Sequence, residues 1–87
     1  MRQQDFLKLL RQRPFVPLKV YLTSGAAYVV RHPEYALPSA ESLTIGTDIR
    51  EGLPHDTVHC SWLHVANVEE LRAGRNGQRR KRERKIR

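Results

Sequence analysis

Residues 16–25, VPLKVYLTSG, alternate without a break. Leu18, Val20 and Leu22 fall on one face of an extended chain, and Lys19, Tyr21 and Thr23 fall on the other. That period of two marks a strand with one buried face. Ser24-Gly25 follows as a turn, because Gly accepts a positive φ without steric penalty. The pattern predicts strand one over residues 17–23.

Upstream, residues 4–13, QDFLKLLRQR, set Phe6, Leu9, Leu10 and Arg13 at helical spacing, so three apolar groups share one stripe. Gln4 or Asp5 is placed to cap this helix, with Asp5 in the favourable first turn. Pro14 ends it and Pro17 reinforces the stop. Downstream, AAYVVR at 26–31 predicts strand two, with Tyr28 and Val30 opposing Ala27, Val29 and Arg31. His32-Pro33-Glu34 then breaks or bulges the ladder, since Pro cannot donate to it, and Tyr35-Ala36-Leu37 resumes it. SLTIG at 42–46 reads as strand three. TDIREGLPHD at 47–56, with its Gly, Pro and two Asp, reads as an exposed loop. TVHCSWLHV at 57–65 is the longest strand candidate, with Val58, Cys60 and Trp62 alternating against His59, Ser61 and Leu63. Ala66-Asn67 is a tight turn or bulge, and VEEL at 68–71 a short last strand.

One helix and five short strands in so few residues cannot build two full sheets. They predict a mainly β domain over 1–71: an N-terminal α-helix followed by a strongly bent five-stranded small barrel of the SH3-like kind. A domain this size buries only about 60% of the surface its unfolded chain exposes, which favours assembly with further copies.

The net charge of +7 is not evenly spread. From Arg72 to Arg87 there are nine Lys/Arg and one acid, Glu83, a net +8. Residues 1–71 carry seven basic and eight acidic side chains, a net −1. The chain therefore reads as a neutral module with a basic tail at 72–87. Only Ile86 is apolar beyond Ala73, so the tail is expected to stay disordered. Cys60 is the single cysteine, which rules out an intrachain disulfide and fits a reducing, cytoplasmic setting. No run is long enough for a membrane span and no signal-peptide core is present, so no membrane partner is expected.

Gln4-Asp5-Phe6-Leu7, Leu10-Arg11, Val16-Pro17, Val20-Tyr21-Leu22 and Gly25 resemble the opening of the Sm-like proteins, above all their bacterial Hfq branch. There a helix with QDxFLxxLR precedes VPVxIYLxNG. SWLHVANVEE near the other end is similar to the Hfq segment VYKHAISTVV, with Trp62 at its aromatic and His64 at its histidine. Pro14 to Leu22, Gly25, Tyr28 and Arg31-His32-Pro33-Glu34 also resemble a group of small bacterial proteins sharing PFxPFxVxLxxGxxYxVRHPE, a match that brings no known function. The chain departs from Hfq at Leu63, where Hfq has lysine, and in PEYALPSAES, which lacks the polar base-reading motif of Sm-like proteins. The resemblance implies an Sm-like barrel whose copies pair, strand four on strand five, into a ring of six or seven. It also implies RNA binding.

The candidate contacts follow. Arg79, Arg80, Lys81, Arg82, Arg84 and Lys85 crowd the tail with Arg87, a density suited to phosphate backbones of RNA, with DNA as the other nucleic acid. Solubility, or attraction to anionic lipid, is the competing reading. Arg11 and Arg13 end the helix, where they complement its dipole. By the resemblance they form an RNA-contacting rim. Tyr21, opposite the apolar face, either stacks a base or packs across the strands on Tyr28 or Val29. By the resemblance Gln4 and His64 meet near a central pore. His55, His59, Cys60 and His64 do not make a zinc site by pattern, because His59 and Cys60 face opposite sides of one strand. No P-loop, GxGxxG or paired-carboxylate pattern appears, and Cys60 alternates with core positions, so neither a cofactor nor catalysis is expected. The residues thus point to a non-catalytic RNA-binding Sm-like protein. The alternative is a small-barrel protein-interaction or structural module whose tail docks on an acidic partner.

Overall fold

A computed structural model describes residues 1–72 of the chain. The basic tail residues Arg79, Arg80, Lys81, Arg82, Arg84 and Lys85 lie outside the described residues.

The helix α1 spans Gln3–Leu10, shorter at its end than 4–13. It buries Phe6 and Leu10, two of the three stripe residues, and leaves Asp5 in its first turn. Arg2 occupies the N-cap without a side-chain cap bond. Its guanidinium instead lies 3.9 Å from the Asp5 carboxylate. Arg11 is the C-cap, so Arg13 falls beyond the helix rather than within it.

Six strands, not five, follow among the described residues: β1 Leu18–Leu22, β2 Ala27–Val30, β3 Ala36–Pro38, β4 Ser42–Arg50, β5 Leu53–Ser61 and β6 Val65–Glu70. They form two small antiparallel sheets, ordered β2-β1-β6 and β3-β4-β5. The β1–β2 hairpin is as the alternation predicts, with Leu18 opposite Val30 and Tyr21 opposite Ala27. The four residues 23–26 join them, turning at Gly25 with φ +99, where any Cβ would be strained. Strand two does not run through His32–Tyr35. Pro33–Tyr35 coil as a 3₁₀ helix, and β3 begins a new sheet. Proline at the first position explains the break, since it can lead a helical turn but cannot serve a ladder.

The expected loop at 47–56 is instead the outer half of a long hairpin. β4 and β5 keep one register from Ser42–Ser61 to Arg50–Leu53, interrupted only at Asp48, whose backbone is left-handed at φ +53. Glu51 at φ +53 and Gly52 at φ +76 make the two-residue turn, the left-handed pair such a hairpin needs. Pro54 is tolerated because β5 lies at the edge of its sheet. The expected strand 57–65 stops at Ser61. Trp62–His64 form a second 3₁₀ helix, and Ser61 caps it by accepting the Leu63 N–H at 3.2 Å. β6 then returns antiparallel onto β1, with Val20 opposite Val68.

The core is drawn from both sheets and the helix: Phe6 and Leu10 from α1, Leu18 and Val20 from β1, Leu43 and Ile45 from β4, with Val30, Ala36 and Val65. Phe6 is fully buried and its ring lies 5.6 Å from that of Trp62. Cys60 and Trp62 pack against this core from its margin and are only half-buried, so the sequence pattern overstated their depth.

Gly46 is the tightest point of the second sheet. A Cβ there would lie 2.9 Å from Pro54 Cβ and 3.2 Å from its Cγ, with no flexible chain end to yield. Gly46→Ala is therefore expected to lower unfolding stability by roughly 1–3 kcal/mol, read as a lower urea midpoint at unchanged m-value.

Candidate functional site

The expected contact residues come from α1 and its end, from β1, and from the turn before β6. Gln4 lies exposed on α1. The Met1 amino group donates to Val65 O at 3.1 Å, which brings the start of the helix beside the Trp62–His64 turn. Gln4 itself makes no side-chain hydrogen bond among the described residues. His64 is tied to the β1–β2 loop: its Nδ1 lies 3.3 Å from Thr23 Oγ1, and the Thr23 N–H donates to its carbonyl at 2.8 Å. Next to it, Leu63 stands out from the surface at 86% exposure.

Arg11 is exposed and enters no ion pair among the described residues. Arg13 is occupied: its Nη1 donates to Gln12 O at 2.8 Å and to Leu10 O at 3.3 Å. Leu10 O is one of the carbonyls a helix end leaves without a partner, so Arg13 acts here as a C-terminal cap.

Tyr21 does project from the face opposite Leu18 and Val20, and Ala27 stands opposite it on β2. Its phenol donates to Glu69 Oε1 at 2.8 Å, across from β1 to β6. Lys19 Nζ sits 5.3 Å from the ring centroid. The bond to Glu69, then burial, then the Glu69 charge all push the Tyr21 phenol above its ordinary value. An acid therefore borders the ring that a phosphate would have to approach.

Sequence reasoning did not anticipate three polar anchors. Trp62 Nε1 donates to Ser39 O at 2.8 Å, pinning the β3–β4 loop. Tyr35 Oη donates to Gly52 O at 3.0 Å, joining the first 3₁₀ helix to the hairpin tip. Thr44 Oγ1 and His59 Nδ1 lie 2.6 Å apart across β4 and β5. A Trp or Tyr with an edge exposed usually places its polar atom on a partner, but the partner depends on turns that local pattern does not reveal. Cys60 Sγ lies 3.5 Å from Leu43 O, and burial raises its thiol. His59, Cys60 and His64 line one shallow pocket with Thr23 and Ser61, yet no group of three metal-ligating side chains converges among the described residues.

β6 ends beside the start of β1, where the Leu71 N–H donates to Pro17 O at 2.8 Å. Leu71 is thus held beside Pro17, which follows Arg13 by four residues in sequence. No helix among the described residues is long and apolar enough to cross a membrane. The chain matches no protein-family model, no curated protein and no solved structure with which it was compared.

Because Glu69 holds the Tyr21 proton, Glu69→Gln is expected to bring the Tyr21 phenol down toward the ordinary tyrosine range. The stabilisation from this bond is present below about pH 10 and is lost as pH rises through the elevated folded value. The check is an ultraviolet difference titration of variant against parent, which should show one of three tyrosines ionising earlier. Coincident curves would remove Glu69 as the cause.

Proposed function

We propose that this protein is a non-catalytic, RNA-binding Sm-like module in which the basic tail supplies most of the phosphate affinity. The observation that carries this reading is the division of charge: net −1 over residues 1–71 and net +8 over 72–87. Nine cations in so short a stretch repel one another until a polyanion neutralises them, and release of that polyanion's counterions then drives binding. With Arg13 capping the helix and Tyr21 bonded to an acid, the folded part offers Arg11, Gln4 and His64 as secondary contacts.

The order of elements supports the Sm-like part. Counting β2 and β3 as halves of one strand broken at His32–Tyr35, the strands read β6-β1-β2/β3-β4-β5, the order of a five-stranded small barrel. The outer edges of β5 and β6 then stand at opposite ends. Pairing them between copies would close a ring and remove both edges at once. A protein-docking role is the second reading, and the free strand edges beside β2 and β4 favour it.

Filter binding of single-stranded RNA by the full chain and by a truncation after Leu71 tests the first reading. The full chain should bind at low salt, with log affinity falling against log salt at a slope of about −5 for seven phosphate contacts. The truncation should lose most of this affinity and most of the slope. Equal binding by both forms would move the RNA contacts to the barrel, and no binding by either at low salt would end the reading.

A further inference from the structure

The chain holds six Phe, Tyr and Trp side chains, and four of them are already committed. Phe6 is buried, Phe15 and Trp62 pack against the core, and Trp62 is also bonded to Ser39 O. Tyr21 is held by Glu69 and lies beneath Lys19. The other two, Tyr28 and Tyr35, come from β2 and from the first 3₁₀ helix, yet they line one groove of about 690 Å³. Small-molecule clefts run from roughly 300 to 1,000 Å³, so the groove has the size of a ligand site.

It opens where β2 and β3 part at His32–Tyr35. Among the described residues β2 pairs only with β1, and past Ile45 β4 has no strand beside it but β5. Both strands therefore turn unpaired main-chain groups toward the gap. Val29 and Ile49 give it apolar walls, and Thr47 adds a hydroxyl. Tyr35 is fixed in place: its Oη donates to Gly52 O at 3.0 Å, and the His32 ring meets it edge-on at 5.7 Å and 74°. Tyr28 is half-buried on the margin of the core, and its phenol enters no hydrogen bond among the described residues.

The charges around the groove favour neither sign. Arg31 and Asp48 both line it, and Asp48 is held by Arg50 through bonds of 3.1 and 2.9 Å. Glu34 and Glu51 are the chain neighbours of Tyr35 and Gly52, which also line it. A phosphate gains little from that mixture, and neither does a cationic segment such as the chain's own tail. An uncharged planar ring with a polar rim suits it: the aromatic side chains stack the ring, and Thr47 and the strand edges bond its rim. Residues 72–87 contain no aromatic side chain, so the tail can neutralise phosphates but cannot stack a base.

We propose that this groove takes one unpaired nucleobase against the Tyr28 and Tyr35 rings while the basic tail holds phosphates of the same strand. Such a site presupposes the RNA reading above and is separate from Tyr21, Gln4 and His64.

The test follows the amide resonances of residues 27–32 and 46–52 in the full-length protein at low salt. Three probes are added in turn: a single-stranded RNA hexamer, the same ribose-phosphate chain without bases, and a free nucleoside. Both chains should bind, but only the hexamer should shift those resonances, and it should bind about tenfold more tightly. Tyr28→Leu should remove that advantage and leave the affinity for the abasic chain unchanged. If the variant loses its fold, the two chains compared on the parent protein still decide. The nucleoside should shift the same resonances only at far higher concentration. Equal binding of both chains with those resonances unmoved overturns the proposal and leaves the RNA reading standing. Binding of neither chain overturns both. A nucleoside that binds as tightly as the hexamer also overturns the proposal, by making the groove a site for a free small molecule.

Discussion

Main-chain hydrogen bonding at strand edges is the constraint on which the rest of this structure depends. Two three-stranded sheets have four outer edges, here β2, β6, β3 and β5. Each is a row of donors and acceptors that must find water, a neighbour or another chain. A larger domain covers such edges with helices, but this one has a single described helix of eight residues. That helix is already committed to the core through Phe6 and Leu10. Loss of a buried Phe costs about 3–5 kcal/mol, a large share of what a small domain can muster, so α1 has no apolar face to spare for an edge.

The break at His32–Tyr35 decides how the edges are distributed. Were it a continuous strand, β2 and β3 would bridge the two sheets and cover β4 as far as its hairpin tip. Pro33 prevents this, Tyr35 braces the result on Gly52, and the groove beside Arg31 follows. The same local chemistry that departs from a regular ladder thus separates an interior edge from the two terminal ones on β5 and β6.

Much of this was legible in the residues. The alternation of VPLKVYLTSG and the turn at Gly25 give β1, its partner β2 and their register, because a one-residue slip would expose Leu18 and Val20. The Phe6–Leu10 stripe gives the helix. The hairpin at 47–56 was not legible: Gly52, Pro54 and two Asp look like loop chemistry, and only pairing with a neighbour distinguishes an edge strand from a loop. The turn at Trp62–His64 was hidden in the same way, since VHCSWLH alternates like a strand but Trp62 gains more from the Phe6 ring and Ser39 O. At the candidate site, residue type did not reveal the hydrogen-bond partners. Arg13 and Tyr21 are spent on Leu10, Gln12 and Glu69, partners that depend on where the helix ends and on how β6 registers with β1.

In the function proposed above, the near-neutral domain would assemble with itself along its two open terminal edges, and the assembly would multiply the basic tail into a polyvalent binder of RNA. Repeated tails raise effective concentration without any new contact. The most direct measurement is the solution mass of the full-length chain by light scattering at moderate salt. The account predicts six or seven copies of the 10.1 kDa chain. A monomer at all accessible concentrations would contradict it.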